Sequence, residues 1–84
     1  MTNEEFDILD ELYFVISFSD LMKALMLDRS KVVEVLGDTY KKGWIKVLST
    51  VDDEVPEGKI DMEHEAEKYY FLITKSGLLA HNSN

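Results

Sequence analysis

The sequence predicts an α+β domain with a three-helix core, a two-stranded antiparallel hairpin and a short C-terminal helix. Three observations carry this. Apolar residues recur at helical spacing through residue 42, the period falls to two after Gly43, and a capping or terminating residue stands at nearly every change. At 84 residues the chain reads as one domain, 1–84, because a second hydrophobic core would have nothing to build it. Apolar content of 45% with nine aromatics supplies that core.

Thr2 with Glu5 three residues later reads as a capping box that opens the first helix. Phe6, Leu9, Leu12, Tyr13 and Ile16 then form one inward stripe. Ser19 is expected to cap a short second helix that buries Leu21, Ala24 and Leu25. Asp28 caps a third that starts at Arg29 and buries Val32, Val35 and Leu36, and Gly43 supplies the left-handed residue that ends it. The pair spanning 19–42 is a helix-turn-helix by pattern. Ile45, Val47 and Val51 place a first strand at about 44–51; Tyr69, Phe71 and Ile73 place a second at about 68–74. Residues 52–67 between them show no clear period and read as a long loop. Thr74 caps a last helix through Leu78, Leu79 and Ala80.

Composition excludes several classes. With no cysteine, neither a disulfide framework nor a thiolate metal site can form. No stretch approaches the roughly 18 apolar residues of a membrane span. The opening Met1-Thr2-Asn3-Glu4-Glu5 is acidic where a signal peptide would be basic, so a cytoplasmic location is expected. The net charge of −8 is unevenly spread: residues 1–17 carry −5, residues 18–51 carry +2, residues 52–67 carry −7 and the remainder +2. Only the middle region is suited to face a polyanion.

Residues 20–45 resemble, without gaps, the helix-turn-helix of MarR/PadR-like winged helix-turn-helix transcriptional regulators. The resemblance rests on Leu21 and Ala24, the Leu27-Asp28-Arg29-Ser30 turn, Val32, and the ending Lys42-Gly43-Trp44-Ile45. Tyr70-Phe71-Leu72-Ile73-Thr74-Lys75-Ser76-Gly77 is similar to the last wing strand of such regulators and the turn that follows it. The resemblance implies a winged helix whose helix 29–42 enters the major groove of double-stranded DNA. Arg29, Ser30, Lys31, Val33 and Glu34 would then meet base edges, with Lys23, Lys41 and Lys42 on phosphates. It also implies pairing through the first or last helix as a homodimer. Where the family has a turn glycine this chain has Met26, which suggests a side chain packed at the turn. Thr39 replaces an interior leucine.

The acidic segment leaves two placements open. Extended, its tip swings roughly 25 Å clear at about 3.3 Å per residue; folded back, its charge lies within a Debye length of about 8 Å of the DNA-facing bases. A basic protein partner for this segment is the alternative use. In an EF-hand register from Asp53, Val55 and His64 fall where calcium needs oxygen ligands, so no cation site is expected. His64 and His81 read as surface residues, no nucleophile motif accompanies them, and the four glycines are isolated. No enzyme activity, cofactor or metal is expected. The sequence reading is a DNA-binding transcriptional regulator, with a winged-helix protein-interaction module as the alternative. A third, weaker reading has a cation mask the wing charge and permit DNA approach.

Overall fold

The computed structural model describes residues 1–83. Its first helix, α1 (Asn3–Asp10), opens on the expected capping box: the Glu5 N–H donates to Thr2 Oγ1 at 3.0 Å and the Thr2 N–H to Glu5 Oε1 at 2.9 Å. It ends two turns sooner than the apolar stripe suggests. Ile16–Ser17 is a short strand, β1, and Tyr13 and Phe14 lie exposed before it. Pairing of β1 with a later strand holds residues 16 and 17 extended, so Ser17 rather than Ser19 caps α2 (Phe18–Ala24), accepting from the Asp20 N–H. Phe18 thereby turns into the core.

Asp28 caps α3 (Arg29–Lys41) as expected, accepting from the Lys31 N–H at 2.9 Å. Gly43 follows with φ of 77°, the left-handed conformation that releases the chain into β2 (Ile45–Leu48). β3 (Tyr70–Ile73) runs antiparallel to both β2 and β1 and stands between them, with Val47 and Ile16 each opposite Phe71. The sheet therefore has three strands rather than two. Thr74 caps the last helix, α5 (Lys75–Asn82).

The core forms where α1, α2 and α3 face this sheet. Ile8, Leu9, Leu12, Leu21, Val32, Leu36, Val47 and Phe71 are all fully buried in one cluster. Thr39, also fully buried, satisfies its hydroxyl by donating to the Val35 and Leu36 carbonyls, which is how a polar residue replaces an interior leucine. Helices, a three-stranded sheet and a long connection between its last two strands make a winged-helix-type α+β arrangement.

Several residues depart from expectation. Ala24, expected on the buried face of α2, is exposed, and Val51, expected in the first strand, lies exposed beyond the end of β2. Met26 is wholly exposed instead of packed in its turn. His81 is buried, stacked on Phe6 with ring centroids 4.2 Å apart, its Nδ1 2.7 Å from the Tyr13 hydroxyl. The larger correction concerns residues 52–67. They are not a structureless loop. A turn at 49–53 returns the chain along the outer edge of β2, where the Val55 N–H donates to Val47 O at 2.8 Å. A 3₁₀ turn at Glu57–Lys59, a short helix α4 (Met62–Glu65) and a second 3₁₀ turn at Ala66–Lys68 complete the connection. Val55, Ile60 and Met62 pack on the core and Ala66 is fully buried, so the apolar residues spaced through this acidic stretch anchor it.

Candidate functional site

The face that the sequence reading gave to DNA is the outward side of α3, and the structure sets an acidic cover against its amino end, at Arg29. α4 and the turn after it lie against the amino ends of α2 and α3. Their register is fixed by Ala66 in the core and by the Asp61 N–H, which donates to the Tyr69 hydroxyl at 3.0 Å. This puts Glu63 and Glu67 beside Arg29. The guanidinium donates from Nε to Glu67 Oε2 at 2.5 Å and from an Nη to Glu67 Oε1 at 2.9 Å, while the same Nη also donates to the Glu63 carbonyl at 2.9 Å. Its inner face lies 5.8 Å from the centre of the Phe18 ring. The forked contact is the strong geometry for an Arg–carboxylate pair. Arg29's hydrogen bond holds the Glu67 carboxyl down to about 2.

The other predicted contacts separate. Ser30 and Glu34 are exposed and Val33 is half-buried, and together with Arg29 and Glu63 they line a shallow cavity of about 300 Å³. Lys31 donates to Glu34 at 3.3 Å, and that bond is the leading cause of its raised pKa. Lys23 lies 3.9 Å from Asp20. Lys42 is drawn away from the α3 face altogether: its Nζ donates to Glu5 Oε2 at 2.5 Å and rests 4.7 Å from the Trp44 ring centre. Lys41 is exposed and, among the described residues, forms no ion pair. Farther along α3, burial pushes the Tyr40 phenol up, helped by Glu57 and Glu54 nearby, so the acidic connection borders this half of the helix too.

The structure thus brings Arg29, Ser30, Val33 and Glu34 together and leaves Lys23, Lys41 and Lys42 apart from them. Sequence reasoning missed Glu63 and Glu67 as partners of Arg29, and Glu5 as the partner of Lys42. Only the opposite charges themselves were legible, because sequence separations of 34 to 38 residues carry no local period. Among the described residues no group of three or more His, Asp or Glu side chains converges to hold a metal ion. No helix of the described residues is long and apolar enough to cross a membrane.

No family model, curated protein or solved structure matches this chain. What the domain does must be argued from its surface.

That surface has a definite sign. The carboxylates acting on Arg29 are Glu67 and Glu63, and those acting on Lys31 are Glu34, Glu4 and Asp38, five acids against two bases. Four of the five cations predicted to meet DNA already face a carboxylate within 4 Å. An excess of acids on a surface opposes the approach of a polyanion and favours a cationic one.

Proposed function

We propose that the domain is a winged-helix protein-interaction module that receives a basic partner. The observation carrying this is the acidic connection seated on α3, with Glu67 and the Glu63 carbonyl holding the Arg29 side chain. DNA affinity comes chiefly from cations that neutralise phosphates and release counterions. Here each paired cation given to a phosphate strands a carboxylate beside the same polyanion, so little is gained per contact. The net charge of −8 opposes approach over longer range.

Reading of duplex DNA is the second proposal, and two features favour it. Ser30, Lys31 and Glu34 project from the first turns of α3, the part of a recognition helix that reaches base edges. The Arg29–Glu67 pair is also solvent-accessible, 40% and 56% exposed, and exposed pairs are weak enough to exchange. Fluorescence anisotropy of a labelled random duplex separates the two. The interaction reading expects no binding even in low salt. Binding at about 10⁻⁴ to 10⁻⁶ M that weakens steeply with salt would replace it with the DNA reading. Binding seen only with added calcium or magnesium would instead favour a cation-masked wing.

A further inference from the structure

A second surface shares no lining residue with the cavity beside the α3 cover. Where α1 passes the turn between α2 and α3, a groove of about 310 Å³ opens, with Asp7, Asp10 and Glu11 on the α1 side and Leu25, Met26 and Leu27 on the turn side. The two sides differ in chemistry. Leu25 and Leu27 are half-buried, their inner atoms on the core, whereas Met26 stands fully in solvent. A thioether side chain is flexible and polarizable, and an exposed one adapts to many apolar shapes. Opposite it, Asp7 and Glu11 have no cationic partner among the described residues, and Asp10 reaches only His81 Nε2, at 3.6 Å. No lysine or arginine occurs in residues 1–17.

We infer that this groove docks a basic amphipathic segment of a partner protein, its apolar side chains on Met26, Leu25 and Leu27 and its lysines or arginines toward Asp7, Asp10 and Glu11. The inference rests on the interaction-module reading and gives that reading a place and a partner chemistry. Charge complementarity selects the occupant. A nucleic acid meets three carboxylates, and a second copy docking through the same face brings the same acids against themselves, which disfavours a symmetric pair. A neutral apolar segment leaves the acids desolvated without partners. A cationic amphipathic helix or strand satisfies both sides at once.

The test uses the whole chain, labelled with ¹⁵N, and two synthetic peptides of equal charge at moderate salt. One carries leucine and lysine at helical spacing; the other has serine in place of leucine. The groove expects amide shifts concentrated at residues 7–11 and 24–28 and at least about tenfold tighter binding of the leucine peptide. Met26→Ser, at a fully exposed position, removes most of that preference without lowering the melting temperature. Asp7→Asn with Glu11→Gln weakens both peptides. Shifts confined to residues 57–67 overturn the groove and leave the interaction module standing, with the α3 cover as its site. Equal affinity for the two peptides, or no shifts at all, also overturns the groove. Neither result touches the duplex titration, on which the functional reading stands or falls.

Discussion

Glu5 shows how one side chain serves two elements. It closes the capping box of α1 and, almost fully buried, accepts from Lys42 at the end of α3. Burial alone would raise its pKa; the hydrogen bonds from Lys42 and the Thr2 N–H outweigh this and leave it below the ordinary 4.5. A carboxyl lowered in the folded state contributes stability above its unfolded pKa and loses it as pH falls through the folded value. Melting temperature should therefore drop as pH falls below 4.5, and Glu5→Gln should flatten that part of the profile. At neutral pH the same substitution should cost about 1–2 kcal/mol by chemical denaturation. Gly77 is a second sensitive position, since a Cβ there would lie 2.2 Å from the Trp44 carbonyl oxygen and 2.7 Å from an Ile73 side-chain carbon. Gly77→Ala should destabilise by about 2–3 kcal/mol, because backbone cannot give way as a side-chain tip can. The capping box was legible at a spacing of three residues, whereas the lysine 37 residues away was not.

Among the elements, the acidic connection decides the character of the surface. Its apolar residues, Val55, Ile60, Met62 and Ala66, are too irregularly spaced to form a helical or strand period, so the sequence reads as loop although the segment is anchored. Tyr69→Phe removes the hydroxyl that accepts from the Asp61 N–H, and hydrogen exchange of the Asp61 and His64 amides should speed up while exchange in β2 stays unchanged. The Arg29 contact keeps Glu67 ionised far into acid, so this pair should persist through pH 4.5 and release only as pH approaches about 2, while the buried anchors keep the connection in place. The Arg29 Nε–H resonance reports that release directly. Glu67→Gln should shift the same resonance at neutral pH and leave the global melt little changed, as expected for an exposed pair.

For the molecule as a whole, charge placement matters more than total charge. Seventeen acids stand against nine bases, and although Lys41, Lys46, Lys59 and Lys75 are exposed, three acidic regions stand out: the α1 wall, the α3 cover and the turn at 49–53. Replacing residues 52–67 with a short neutral turn removes seven net negative charges, and also the anchors Val55, Ile60, Met62 and Ala66. A gentler variant, Glu57→Gln with Glu63→Gln and Glu67→Gln, keeps those anchors. Under the interaction reading, this variant should gain weak duplex affinity that the parent lacks, measurable by anisotropy in low salt. Under the DNA reading the parent binds already. Phe6 of α1 and Tyr13 hold His81 of α5, tying the last helix to the first.

The order of α1, α2, α3, β2, β3 and α5, the caps at Thr2, Asp28 and Thr74 and the left-handed Gly43 were determined by the sequence alone, because each depends on residues within about four positions of one another. Folding in three dimensions decided the rest. Pairing of Ile16 and Ser17 with β3 shortened α1 and moved the α2 cap, and burial of Ala66 with Met62 laid the acidic connection on α3. Whether Arg29 and Lys42 face water or a carboxylate depends on contacts across 34 to 38 residues. Long-range packing has no period to read, so the sequence predicts the elements while the tertiary structure sets the sign of the surface they present.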